Sequence, residues 1–300
     1  MAAGWEWDET LFEGAATYYA RGRLPYAPGL AAALAATLEL DGSGRLIDVG
    51  CGPGTLALTL APLFHEVVGV DPDAGMITEA ERDAAGRGVA GRTRWVRARA
   101  EDLPADLGTF TVAAFGQSFH WMDQERVAAT ARSMLRPGGA LVHVSDLKTE
   151  TETAETEAAD TETTDSGRTD APAPPRTAID DLIRTYLGPV RRAGRGVLPQ
   201  GTPGGEREVL ARAGYAGPQR LVVQGGQTLE RSIDDVVAGV FSMSSSAPHL
   251  FGNRRDRFES DLRTLLRKAS ASALFSERAP STEVFIWRND ACGRAAVPAR

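Results

Sequence analysis

The chain has little of what several protein classes require. Its 300 residues hold two cysteines, Cys51 and Cys292. Two are too few for a disulfide-built scaffold, and no CxxC pair or His/Cys cluster has the spacing of a structural zinc site, so no metal is expected. No apolar run approaches the ~20 residues that cross a bilayer. The stretch Met1 to Thr10 carries Glu6, Asp8 and Glu9 with no basic residue, unlike a secretory signal. A reducing, cytoplasmic setting is therefore expected. Positive charge is not in excess either: the formal net charge is -7. Most of that is local, because Glu150, Glu152, Glu155, Glu157, Asp160, Glu162, Asp165 and Asp170 face only Arg168 within 149–170. The rest is close to neutral, so neither a basic nucleic-acid groove nor a membrane-binding face is expected. Hydrophobic residues at 42% and charged residues at 24% are ordinary for a globular protein, and a chain this long can bury a core without staples.

Strand and helix patterns alternate from residue 45. Arg45–Val49 reads as a short apolar strand, followed by a Gly-rich turn and an apolar helix over Thr55–Leu63. Glu66–Val70, Thr93–Ala98, Phe110–Phe115 and Ala140–Ser145 read as strands, and Gly75–Ala85 and Gln124–Leu135 as helices, the second closed by Pro137-Gly138-Gly139. This spacing predicts a parallel sheet covered on both faces. Right-handed crossovers favour an open doubly wound sheet, and the units are too few for an eightfold barrel. Gln219–Gln224 and Glu283–Arg288 read as two later strands able to pair antiparallel at the sheet edge, with helices over Ile179–Ala193, Ile233–Phe241 and Arg257–Ala273. The expected division is a helical lid (1–44), a ligand-binding core (45–148), an acidic insert (149–175), the remaining strands with a helical cap (176–290) and a tail (291–300). The insert is Thr-, Glu-, Asp- and Ala-rich and ends in a Pro/Ala run, so disorder is expected there.

The chemistry concentrates in Asp48-Val49-Gly50-Cys51-Gly52-Pro53-Gly54-Thr55. Glycines at 50, 52 and 54 let the backbone adopt positive φ and a ligand come close. The helix that follows turns free N–H groups toward whatever lies over the turn. The spacing is G-x-G-x-G, not the G-x-G-x-x-G of a dinucleotide site. Asp48 precedes it, and a carboxylate there repels a pyrophosphate but suits a cation or an ammonium. The second strand ends at Asp71, placed to accept both hydroxyls of a ribose. The third is followed by Ala98-Arg99-Ala100-Glu101-Asp102-Leu103-Pro104, which offers an acid and backbone groups to an adenine edge.

These motifs, with Leu135-Arg136-Pro137-Gly138-Gly139-Ala140, resemble the class I S-adenosylmethionine-dependent methyltransferases. The likeness is strong over 45–145 and weaker beyond. It implies a doubly wound α/β fold with a mostly parallel seven-stranded sheet, N-terminal helices and a helical cap. It implies S-adenosyl-L-methionine as cofactor, held by Tyr19, Arg23, Asp48, Gly50, Cys51, Gly52, Gly54, Thr55, Asp71, Pro72, Met76, Ala100, Glu101, Phe115 and Gln117. The segment Gln117-Ser118-Phe119-His120-Trp121-Met122-Asp123 is similar to that of the trans-aconitate methyltransferase-like (type 11) subgroup, where it lines the cleft between cofactor and acceptor. Tyr26, Phe119, His120, Trp121 and His249 are thus candidate substrate contacts, and His120 a candidate general base or, alternatively, a packing residue. Arg23 is placed to meet the methionine carboxylate. His65 and His143 receive no role, and Cys51 fits the turn by size, not as a nucleophile. The expected activity is methyl transfer to O, N or C of a small molecule, by a monomer or homodimer. Cyclisation or elimination on the same fold, or binding without catalysis, are the alternatives.

Overall fold

Apolar β-branched runs form the centre of the molecule, and each is ended by a glycine- or aspartate-bearing turn. In the computed structural model, which describes residues 8, 10–104, 106–147, 171–190, 192–193, 196–197 and 205–289, these are β1 (Arg45–Val49), β2 (Glu66–Asp71), β3 (Thr93–Arg97), β4 (Phe110–Gly116) and β5 (Leu135–Asp146). Helices α1 (Ala16–Gly22) and α2 (Leu30–Leu38) precede them; α3 (Thr55–Leu60), α4 (Ala74–Gly86) and α5 (Gln124–Met134) lie between. After the core come α6 (Arg176–Leu187), the two-residue β6 (Arg192–Ala193) and β7 (Gly196–Val197), α7 (Glu206–Arg212), β8 (Ala216–Val223) and β9 (Thr228–Ser232). Then follow α8 (Ile233–Phe241), α9 (Arg255–Ala269), β10 (Leu274–Arg278) and β11 (Thr282–Arg288).

Seven strands form one sheet in the order β3-β2-β1-β4-β5-β11-β8. The first five run parallel, while β11 is antiparallel to both β5 and β8. The strand order reverses between β1 and β4, so their carboxyl ends open the crevice where open α/β sheets bind ligands. One sheet face packs Ile47, Val68 and Phe115 against α5 and α7, and the other packs Leu46, Val67 and Val142 against α2 and α3. A separate apolar cluster of Phe241, Phe251, Phe258, Leu262 and Phe275 holds α6, α8, α9 and the β9–β10 pair together as a cap over the crevice. Within it Phe251 and Phe258 stack at 4.0 Å.

The expected sheet and its antiparallel edge are present. Strand β5 starts at Leu135, earlier than expected, because Pro137-Gly138-Gly139 lies inside an irregular stretch of the ladder instead of ending the preceding helix. Helix α6 stops at Leu187, where Gly188 takes φ 87°, short of the expected Ala193. The pair β9–β10 was not expected at all. The expectations for residues 149–170 and 291–300 lie outside the described residues, as does Cys292. Among the described residues no helix is long and apolar enough to cross a membrane, and no cluster of potential metal ligands occurs.

Candidate active site

Two contiguous cavities open at the carboxyl ends of β1 and β4, sharing Tyr19, Gly50, Gly52, Gly116 and Gln117. The first, of about 70 Å³, lies beside Asp71, Ala100 and Trp121. The second, of about 570 Å³, lies between the core and the cap, beside Arg23, Tyr26 and Asp48.

The glycine turn is built for close approach at two of its three glycines. Gly50 and Gly52 take φ 69° and 53° and line both cavities. A Cβ on Gly50 would lie 2.6 Å from Ser118 Cβ, whereas one on Gly52 would meet nothing nearer than Met76 Sδ at 4.0 Å. Gly52 therefore leaves its space to the cavity. Gly54 lines neither cavity: its missing Cβ makes room for the Trp95 ring, 2.6 Å from where it would stand. The third glycine is thus explained by packing.

Asp48 sits beneath the turn, 1% exposed. Its Oδ2 accepts from the Ala57 backbone N–H at 3.0 Å, while its Oδ1 is buried without a hydrogen-bond partner. Burial pushes its pKa up to about 7; the Ala57 N–H opposes this and the Asp71 charge adds to it. The fixed carboxylate expected beside the turn is therefore a buried acid poised near neutrality, which a cation would ionise. Asp71 is 9% exposed. Its two oxygens accept from the N–H groups of Gly52 and Asp73, both at 2.9 Å, so it ties the turn to the second strand tip. Burial dominates here too, raising its pKa to about 6 against those two hydrogen bonds.

Asp73 caps α4, accepting from Gly75 and Met76 N–H at 2.7 and 3.0 Å, and Pro72, Asp73 and Met76 line the first cavity. Across from them Glu101 accepts from the Asp123 N–H at 2.9 Å and lies 3.5 Å from Arg99. At the tip of β4, Gln117 has φ 53° and its Nε2 donates to Asp146 Oδ2 at 3.1 Å. Ser118 Oγ donates to the Val49 carbonyl at 2.6 Å, pinning this tip to β1.

From the lid, Tyr19, Arg23 and Tyr26 reach the second cavity, as do Cys51 and Thr55 from the turn. Arg23 lies 4.9 Å over the Tyr19 ring and donates to the Ser242 carbonyl at 3.0 Å. The Tyr26 hydroxyl lies 2.9 Å from where a Gly116 Cβ would stand. Burial and then the neighbouring Tyr19, Asp48 and Asp146 raise its pKa well above the ordinary value. It stays a neutral hydroxyl. Cys51 is buried, and burial raises its thiol pKa as well.

Several expected site residues do not line either cavity. Phe115 and Phe119 are buried and pack edge-on at 5.0 Å. His120 packs against Trp121 at 4.8 Å. Trp121, expected on the acceptor side, instead lines the cavity of Asp71, facing Phe12 edge-on at 6.4 Å. His249 contacts the Glu13 carbonyl at 3.0 Å. Ser118 and Met122, in the segment expected to border the cleft, line the first cavity, and Phe12 and Asp73 line it without having been expected; of these two only Asp73, an Asp two residues before a glycine at a helix start, carried a readable cap signal.

An α/β sheet with this strand order, glycine turn and strand-two acid defines the class I methyltransferase architecture. The family described as "Methyltransferase domain" matches residues 46–139, and this segment is a methyltransferase domain of the S-adenosylmethionine-dependent class. A Saccharomyces cerevisiae protein described as a probable S-adenosylmethionine-dependent methyltransferase is 32% identical over 95 residues, 31% of this chain and 33% of that protein. The tRNA 5-carboxymethoxyuridine methyltransferase of Escherichia coli K12 is 33% identical over 99 residues, 32% of this chain and 38% of that protein. The chain thus matches about a third of the length of these relatives. The YcgJ protein from Bacillus subtilis superposes with a TM-score of 0.45 at 18% identity, covering 87% of this chain and 98% of that one.

The cofactor of this class is S-adenosylmethionine, and the residues present fit it. The partnerless Asp48 Oδ1 lies under a cradle left open at Gly52, which suits an ammonium and gives no anchor to a pyrophosphate.

Proposed function

We propose that the protein is an S-adenosylmethionine-dependent methyltransferase acting on O, N or C of a small molecule, a metabolite or natural-product intermediate, in the cytoplasm. The observation that carries this is the shared wall of Tyr19, Gly50, Gly52, Gly116 and Gln117, through which the cavity beside Asp71 opens into a larger one beneath a separate cap. When bound, the cofactor supplies an electrophilic methyl group. Asp71 takes the ribose hydroxyls, and Ala100 and Glu101 border the adenine. Asp48 takes the ammonium. Arg23, already fixed by Ser242 and Tyr19, takes the carboxylate.

The Tyr26 hydroxyl oxygen accepts from the acceptor's O–H or N–H at the junction of the two cavities, which turns the acceptor's lone pair toward the methyl group, and the proton lost on methylation passes to solvent. Positioning and exclusion of water carry most of the rate. His120, lining neither cavity, has no proton-transfer role in this reading. Incubation with methyl-labelled cofactor and a panel of small metabolites tests it. Label in a small product supports the reading. Cofactor consumption without labelled product points to ring closure or elimination, and binding without turnover to a non-catalytic protein.

A further inference from the structure

We infer that Arg231, a cap residue, positions Arg23 for the cofactor carboxylate by holding the turn that ends the lid helix α1. This rests on the reading above in which Arg23 takes that carboxylate. Arg23 directly follows α1, a seven-residue helix whose N-terminus has no side-chain cap. So short a helix has little stability of its own, and the direction of Arg23 depends on what fixes the end of the helix.

The cap fixes it. Arg231 Nη2 shares its two N–H groups among the carbonyls of Arg21, Gly22 and Asp235, at 3.0, 2.9 and 3.1 Å. The first two stand at the end of α1, where carbonyls have no partner inside the helix. The third belongs to α8, so one side chain ties both helices. Gly22 lets them come that close, because a Cβ there would lie 2.4 Å from the Ala238 carbonyl. Arg21 adds a hydrogen bond to Asp235 at 2.6 Å, within the capping box that Asp235 forms with Ser232 at the start of α8. Beyond this joint Arg23 donates to the Ser242 carbonyl, at the far end of α8, and lies over the Tyr19 ring.

Arg231 is itself held by the cap. It pairs with Phe275 across the β9–β10 ladder and directly precedes the Ser232 cap of α8. A buried guanidinium stabilises a fold no better than an apolar side chain of similar volume. What its planar fork adds is a fixed orientation of the groups it bonds. Val236 and Val240 of the same α8 line the second cavity, so the frame that shapes the acceptor side also aims Arg23. Arg231 borders that cavity as well, and calorimetry with two ligands separates positioning from direct contact.

The ligands are S-adenosylhomocysteine and methylthioadenosine, a thioether nucleoside without the ammonium and carboxylate. Arg23→Met should weaken S-adenosylhomocysteine about tenfold and methylthioadenosine less than about twofold, through loss of a charge-assisted contact. Arg231→Met should weaken S-adenosylhomocysteine about fivefold with the same sparing of methylthioadenosine, because a misdirected Arg23 loses part of that contact. A merely structural role would move both ligands alike. Adding Arg231→Met to Arg23→Met should weaken neither ligand further. Arg231→Gln, whose amide ends where the Arg231 Nε stands, replaces Arg231→Met with the same expectation if that variant fails to fold. Equal losses for the two ligands, no loss, or losses that add in the double variant overturn the inference, the last by making Arg231 a direct ligand contact. If Arg23→Met spares S-adenosylhomocysteine, the Arg23 assignment fails and the inference with it; a selective effect of Arg23→Met without one of Arg231→Met overturns the inference alone.

Discussion

Replacing Asp48 with Asn should uncouple nucleoside binding from pH. Asp48 titrates near 7 in the empty protein because burial outweighs its single hydrogen bond from Ala57. A ligand ammonium on the partnerless Oδ1 requires the ionised form. With a pKa of about 7, roughly a tenth of the molecules are ionised at pH 6 and roughly nine tenths at pH 8. Affinity for S-adenosylhomocysteine should therefore rise about tenfold between those values, equivalent to about 1.4 kcal/mol. Asp71, titrating near 6, steepens the lower end. Calorimetry at pH 6 in two buffers of different ionisation enthalpy should show about 0.9 proton released from Asp48 and up to about half a proton more from Asp71. Asp48→Asn should bind more weakly at pH 8, with only the shallow residue of the pH dependence that Asp71 supplies. Equal wild-type affinity at pH 6 and 8, or an undiminished slope in Asp48→Asn, would refute the assignment.

Other outcomes follow from the same geometry. Asp71→Ala should weaken S-adenosylhomocysteine binding by about 1–3 kcal/mol, measured by calorimetry, since it removes both a ribose contact and the anchor of the Gly52 N–H. Gly22→Ala should lower stability by about 1–3 kcal/mol in urea unfolding, because its Cβ would stand 2.4 Å from the Ala238 carbonyl on α8. The buried acids also give the empty protein a pH signature. Their folded pKa values lie above the unfolded carboxylate range, so the folded state holds extra protons between about pH 4 and 7. Their stabilisation is fully present below that range and is lost as pH rises through 6 to 7. Comparing denaturation of wild type and Asp48→Asn from pH 5 to 8 should show the smaller fall in the variant.

Much of the core was legible because its strands are apolar runs bounded by turn residues, and because the glycine turn, Asp71 and the Pro-Gly-Gly stretch stand in a fixed order. The cap was less so. Strand β9, Thr-Leu-Glu-Arg-Ser, has little apolar alternation, and its partner β10 lies across two intervening helices. Arg231 reads as a surface charge, yet it is buried because three backbone carbonyls meet it there. Within the site, residue types were easier to read than directions. A Phe-His-Trp turn does not reveal which ring faces the ligand. The pin from Ser118 to Val49 accompanies a turn in which Trp121 lines the nucleoside cavity and His120 does not. Gly54 likewise looks like part of the cradle in sequence, and only the Trp95 ring beneath it shows otherwise.

The most direct measurement is calorimetric titration of the wild-type protein at pH 8 with S-adenosylhomocysteine and, separately, with NADH. One equivalent of S-adenosylhomocysteine should bind and NADH should give no saturable heat. Saturable binding of NADH with none of S-adenosylhomocysteine would contradict the reading of Asp48 and the glycine cradle.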